Sequence, residues 1–262
     1  MISFIIHLRK DSEERVKNIN IILPYFRSIA PDCEFVIVED DDLQYFNYLS
    51  KDNDIIYHHY KNSDMYNKCK GYNIGLSLCT KEIVCFLDID CLISKENLLK
   101  SLDTLQQADG ICIGYNGTCI YLDYPIKQQA TTHENLYDFL DNFIDKKNIY
   151  TMYKCSNYTI TNTKAVGGCL IGSKKIFKQI NGFNPNFIGW GYEDNEIISR
   201  ARILKVPLFY INTSKPFLFH MPHEIDQWRN KSQHPFYEHN HREAAKVESM
   251  NFSQLTQYIQ TW

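Results

Sequence analysis

Apolar runs and helical stripes alternate through the first hundred residues. Ile2–Leu8 is mostly apolar and reads as a buried strand. Ser12 or Asp11 then caps a helix, with Glu13 and Glu14 in its first turn. Val16, Ile19, Leu23 and Phe26 recur at helical spacing, and Pro24 is expected to shorten or kink that helix. Residues 35–38, 55–58 and 83–87 are short strand candidates, the last the strongest in the chain. Residues 65–78 form a helix with Met65, Cys69, Tyr72 and Leu76 on one face, and Ser94 caps another carrying Leu98, Leu99, Leu102 and Leu105. This alternation predicts an α/β fold: a Rossmann-like, mixed but mostly parallel central sheet with helices on both faces. Ligands of such sheets bind beyond the carboxyl ends of the strands. Two acidic clusters, Glu39-Asp40-Asp41-Asp42 and Asp88-Ile89-Asp90, fall at those ends.

The second half is less regular. Strands are expected at 111–115 and 119–122, around Asn116-Gly117. Residues 125–162 are polar and Tyr-rich, with one short helix marked by Leu136, Phe139, Leu140 and Phe143 between long loops. A strand over 165–171 containing Gly167-Gly168 precedes helices over 174–180 and 195–204. Short strands follow at 208–211 and 217–219, then helices at 239–248 and 253–259.

Composition narrows the function classes. With 44% hydrophobic and 23% charged residues, the 262-residue chain has globular proportions, and a net charge of -3 argues against a nucleic-acid partner. Nine cysteines form no C-x-x-C pair, so they read as reduced, buried and inert. The N-terminus has no signal-like basic region and no run long enough to span a membrane. The expectation is a cytoplasmic protein, with peripheral attachment to the inner membrane face left open.

Three constellations carry chemistry. In Gly189-Trp190-Gly191-Tyr192-Glu193-Asp194, an indole between two glycines precedes two carboxylates at a helix start. An apolar plate beside acceptors suits a sugar, whose ring stacks while its hydroxyls donate; by itself the stretch also fits an ordinary acidic helix start. Asp88-x-Asp90 at a strand end places two hard oxygen ligands on one side, as a divalent cation requires. His220-Met221-Pro222-His223 offers imidazole, which with carboxylate suits Mn²⁺ better than Mg²⁺. Phosphate loops of the GxxxxGK[ST] and GxGxxG kinds and the GxSxG elbow are absent.

In order and spacing, Asp88-Ile89-Asp90, the upstream Tyr66-Asn67-Lys68-Cys69-Lys70-Gly71-Tyr72-Asn73-Ile74-Gly75, Gly167-Gly168, Ile180-Asn181-Gly182-Phe183 and Gly189-Trp190-Gly191-Tyr192-Glu193-Asp194 resemble the GT-A glycosyltransferases. The likeness is to the branch joining beta-1,4-galactosyltransferases with bacterial family-2 capsule and chondroitin-type polymerases, and covers about residues 2–223. It implies a single GT-A domain over 1–262: a nucleotide-sugar half at 1–110, an acceptor half at 111–223 and a C-terminal helical extension at 224–262. It also implies inverting, metal-dependent transfer of a hexose or N-acetylhexosamine from a UDP-sugar to a carbohydrate or glycolipid acceptor, in surface polysaccharide or glycoconjugate synthesis. Asp194 would be the catalytic base. Asp40, Lys68, Asp88, Gly168 and Trp190 would bind the donor, with Asp40 on uracil and Asp88 near ribose. Glu193, Trp190 and Tyr192 would meet the acceptor. Asp90 with His223, or His220, would hold Mn²⁺, with Mg²⁺ the alternative. Tyr192 replaces a frequent Gly and Asn195 replaces a carboxylate. Ala165 stands about where the animal enzymes carry a crowding Tyr, which hints at an N-acetylhexosamine donor. The competing readings are a non-catalytic nucleotide-sugar or carbohydrate binding module and a metal hydrolase using Asp88, Asp90 and His223.

Overall fold

A computed structural model of the protein describes residues 2–144, 153–154, 158–162, 164–223 and 234–262. β1 (Ile2–Leu8) is buried along its whole length, as its apolar run requires. Ser12 accepts a hydrogen bond from Arg15 N and starts α1 (Glu13–Ile29). That helix continues through Pro24 without the expected shortening and buries Ile19, Ile22, Leu23 and Phe26. β2 (Glu34–Asp41), β3 (Ile55–Lys61), α2 (Lys68–Leu78), β4 (Ile83–Leu87), β5 (Cys91–Leu92) and α3 (Lys95–Gln107) complete the first half. α2 starts three residues later than its apolar pattern suggests, because Asn67 caps it by accepting from Lys70 N.

β6 (Ile111–Ile113), β7 (Cys119–Leu122), α4 (Tyr124–Ala130), α5 (Leu136–Phe143), β8 (Tyr153–Lys154) and β9 (Tyr158–Asn162) follow. α4 escaped the apolar pattern; it starts behind Asp123 with proline in its first turn, where the missing N–H costs nothing. β10 (Cys169–Ser173) begins after the glycine pair, which the expected strand over 165–171 included, since Gly168 takes φ +82°. α6 (Lys174–Gln179), α7 (Glu193–Ile203), β11 (Leu208–Tyr210), β12 (Leu218–His220), α8 (Tyr237–Glu248) and α9 (Phe252–Tyr258) end the chain.

The main sheet has seven strands in the order β11-β6-β10-β4-β1-β2-β3. β1 pairs parallel with β2 and β4, β2 with β3, and β6 with β11; only β10 runs antiparallel, between β4 and β6. The expected mixed, mostly parallel sheet is thus present. A second sheet, ordered β5-β12-β7-β9-β8, stands apart from it. β5 follows β4 after the three-residue Asp88-Ile89-Asp90 turn, so the acidic motif lies at the join of the two sheets. Among the described residues no helix is long and apolar enough to cross a membrane.

α2 lies close on the sheet because its inner face carries glycine. A Cβ on Gly71 would meet the His7 ring at 2.0 Å, and one on Gly75 would meet Ile5 Cγ2 at 2.2 Å. Gly71→Ala is therefore expected to destabilise the fold by about 1–3 kcal/mol through overpacking. A urea unfolding midpoint equal to that of the parent protein would show that the helix can retreat without cost.

Candidate active site

Four chain segments converge at the carboxyl end of β4. The first is the start of α2, where Lys68 is only 8% exposed. Its ammonium lies 3.1 Å from Asp88 Oδ1, 3.2 Å from Asp194 Oδ2 and 3.6 Å from Glu193 Oε1. Burial opposes this charge, but Asp194 and Asp88 outweigh it, so the Lys68 pKa stands well above that of an ordinary lysine. Tyr72, one helical turn on, donates from its hydroxyl to Asp88 Oδ1 at 2.6 Å.

The second segment is the N-terminus of α7. Glu193 and Asp194 open this helix, where its dipole favours negative charge. Glu193 Oε2 accepts from Gly191 N at 2.8 Å. Burial is the chief influence on Asp194 and pushes its carboxyl up; Lys68 pulls it down, and Glu193 and Asp88 push it up again, leaving it at about 7. Gly167 makes room for this carboxylate, since a Cβ there would meet Asp194 Oδ2 at 2.0 Å. Gly168 O accepts from Asp88 N at 3.0 Å, which holds the glycine backbone against the acidic turn.

The third segment joins Asp90 to the end of β12. Asp90 is 3% exposed. His220 Nε2 lies 3.5 Å from Asp90 Oδ1, and His223 Nε2 lies 3.2 Å from Oδ2, so both histidines of the His220-Met221-Pro222-His223 run approach one carboxylate. The extended chain, tied by Met221 N donating to Asp90 O at 2.7 Å, puts them there. Tyr121 stacks on His220 with ring centroids 4.4 Å apart. Arg15 Nη1 stands 4.0 Å from Asp90 Oδ2. Burial would raise the Asp90 pKa, but His220, His223 and Arg15 outweigh it and hold the carboxyl well below the usual range. Ligand atoms of Asp90, Cys91 and His220 all lie within 4.8 Å of one another, a group able to hold a metal ion. Carboxylate, imidazole and thiol are all ligands of divalent cations, so the donor set fits one.

The fourth segment is the Trp190 loop. Gly189, Gly191 and Tyr192 all have φ in the left-handed region, at +69°, +112° and +70°. Trp190 remains 47% exposed. Its backbone is fixed from the C-terminal segment: Trp190 N donates to His234 Nε2 at 3.0 Å, and Asn240 Nδ2 donates to Ile188 O at 2.9 Å and Trp190 O at 3.2 Å. Tyr192 and Tyr237 share a hydroxyl hydrogen bond of 2.8 Å.

Lys68, Asp88, Glu193 and Asp194 therefore form one cluster, and Asp90, His220 and His223 a second, joined through the Asp88-Ile89-Asp90 turn. Asp40 is differently placed. It is fully buried, and its oxygens accept from Arg9 Nη2 at 2.7 Å, Asn62 Nδ2 at 2.6 Å and Asn67 N at 3.0 Å. This carboxylate orients Arg9 and the start of α2, and its acceptors are already engaged. Cys91, Arg15, Asn240 and the loop-fixing role of His234 escaped the sequence reading. Cys91 follows the acidic motif directly, which is a signal; the other three come from remote helices and loops and carry none.

The profile of the family described as Glycosyltransferase like family 2 matches residues 3–244. The chain belongs to this family. It is a glycosyltransferase, and its sheet is that of the GT-A fold. The catalytic domain of Drosophila beta-1,4-galactosyltransferase 7, solved in complex with xylobiose, is similar over 96% of this chain and 82% of that one, with a TM-score of 0.51 and 15% identity. At that identity the likeness is one of fold. A mutant of the same Drosophila enzyme, in complex with manganese, UDP-Gal and xylobiose, covers 97% of this chain and 78% of that one at 15% identity, with a TM-score of 0.46. Comparison with curated proteins gives no match.

The buried ammonium of the glycosyltransferase is a test of its electrostatics. Lys68→Met removes the cation that lowers Asp194, so the Asp194 midpoint is expected to rise from about 7 by roughly one unit or more. Carboxyl-carbon NMR titration reads this directly, and an unmoved midpoint would show that the pairing has no electrostatic consequence.

Proposed function

We propose that this glycosyltransferase moves a hexose or N-acetylhexosamine from a UDP-sugar to a carbohydrate acceptor with inversion at the anomeric carbon. The observation that carries the reading is Asp194: a half-buried carboxylate at a helix N-terminus, with a pKa of about 7 and one lysine fixing it. That is a general base matched to neutral pH. Asp194 takes the proton of the acceptor hydroxyl as that oxygen attacks the anomeric carbon. The bond from that carbon to the diphosphate breaks, and UDP leaves with the bonding electrons. Lys68 holds Asp194 on the side of Asp88, which we assign to the donor ribose. Glu193, anchored by Gly191 N, orients a second acceptor hydroxyl.

Asp90, His220 and His223 are the residues we assign to a divalent cation. When bound, such an ion supplies the positive charge that a departing diphosphate needs. The exposed Trp190 indole is a stacking plate for the sugar and shields it from water. In this reading residues 1–110 hold the nucleotide and 111–223 face the acceptor, while His234, Tyr237 and Asn240 of the C-terminal extension support the Trp190 loop. The Gly-Trp-Gly-Tyr-Glu-Asp run supports placement in the capsule or chondroitin-polymerase branch, with a surface polysaccharide or glycoconjugate as product. Ala165, small and half-buried, supports a donor bearing an N-acetyl group.

Asp194→Asn is expected to leave UDP binding nearly intact and to slow transfer by roughly two decades or more. Unchanged transfer would overturn the base assignment. The base form of Asp194 is lost as pH falls through about 7, so kcat/KM should rise as pH climbs through that value. A profile flat from weakly acidic to weakly basic pH would exclude a group with this midpoint.

A further inference from the structure

Cys91 is the one member of the metal-capable group that neither the sequence motifs nor the proposed reaction employs. Its place is fixed by two constraints. Cys91 N donates to Asp88 O at 3.0 Å, closing the acidic turn, and β5 pairs antiparallel with β12 in a register that sets Cys91 opposite His220. Directly opposed residues present their side chains on one face of a sheet. The thiol therefore faces the imidazole and the adjacent carboxylate.

The distances have the size of a coordination shell. Asp90 Oδ1 lies 3.6 Å from Cys91 Sγ and 3.5 Å from His220 Nε2. Bonds of about 2.3 Å to sulfur and about 2.0 Å to oxygen or nitrogen, at tetrahedral angles, give ligand-to-ligand edges of about 3.3–3.5 Å. His220 Nδ1 lies 3.0 Å from Met221 O, and in the tautomer whose Nδ1 donates to that carbonyl it is Nε2 that faces Asp90. His223 Nε2 stands 3.2 Å from the other carboxylate oxygen, Asp90 Oδ2, outside the group of three. Gly168 also leaves space on the thiol's other side: a Cβ there would lie 3.0 Å from Cys91 Sγ.

We propose that Cys91 is a thiolate ligand of the cation, and that the centre on this account prefers Zn²⁺ or Co²⁺ to Mg²⁺ and Mn²⁺. This rests on the reading that Asp90 and His220 hold a cation for sugar transfer. Sulfur favours soft and borderline ions, whereas Mg²⁺ demands oxygen ligands around it. On binding, the thiol proton leaves to solvent and the sulfur–metal bond takes its place.

The test uses the full chain, stripped of metal with a chelator and titrated with Co²⁺. One equivalent is expected to produce a sulfur-to-cobalt charge-transfer band in the near ultraviolet. The band should vanish in both Cys91→Ser and Cys91→Ala, with folding of each variant checked by circular dichroism. Zn²⁺ should displace Co²⁺ stoichiometrically, while Mn²⁺ should fail to do so even at roughly hundredfold excess. X-ray absorption of the Zn²⁺-loaded parent protein should show one sulfur at about 2.3 Å, a readout that needs no variant. Absence of the band, its survival in both variants through another cysteine, or a zinc shell without sulfur would each overturn the assignment. Mn²⁺-supported sugar transfer by a protein lacking the band would sink Cys91 as a ligand and leave the transferase reading standing. A band with no transfer from any UDP-sugar would do the reverse.

Discussion

The site is organised around one buried ammonium. Lys68 lies among Asp88, Glu193 and Asp194, three carboxylates from two different segments, and it comes from a third. Such charges would repel one another in a dry cleft, and a buried carboxylate without a partner would be neutral. The lysine makes their proximity tolerable and ties the start of α2, the end of β4 and the start of α7 together. Its own position depends on packing some distance away: Gly71 and Gly75 let α2 settle on β1, and Asn67 caps the helix so that Lys68 emerges at its first turn. Burial then overrides the lysine in part, and Asp194 remains at about 7, poised to lose and regain a proton.

A second balance governs the neighbouring centre. Asp90 is flanked by His220, His223 and Arg15, which together hold its carboxyl well below the usual range although it is buried. The two centres share the turn Asp88-Ile89-Asp90, with Asp88 turned to Lys68 and Asp90 to the histidines. The change from the main sheet to the smaller one happens at this turn. The main sheet supplies a rigid strand end, and the smaller sheet brings β12 with its histidine alongside β5. A molecule bridging the turn would thus meet the Lys68 cluster on one side and the Asp90–histidine group on the other.

The Trp190 loop shows a different economy. Three of its four residues from Gly189 to Tyr192 take left-handed φ, two of them glycine, so the run has little intrinsic preference for its observed shape. Its geometry is imposed by backbone hydrogen bonds from His234 and Asn240, which belong to the C-terminal segment. Tyr192 adds a hydroxyl contact to Tyr237 on α8. The C-terminal helices therefore act on the site by shaping the loop that carries the indole.

Much of this was legible in the residues. The alternation of apolar runs with helical stripes determined the α/β class and the mostly parallel sheet, because strand and helix periodicities are local properties of the chain. The acidic turn, the Gly-Trp-Gly-Tyr-Glu-Asp run and the spaced histidines marked segments that the fold brings together. Local pattern misplaced what neighbouring caps and glycines decide: the start of α2, the start of β10 and the continuity of α1 through Pro24. Only the tertiary structure decided which charges face one another. Lys68 turned to the carboxylates, Asp40 became a buried anchor for Arg9, and Cys91 came opposite His220. Those pairings join residues as much as 129 positions apart, as with Cys91 and His220. They follow from sheet register and helix docking, which depend on the whole fold and leave no trace in any short stretch of sequence.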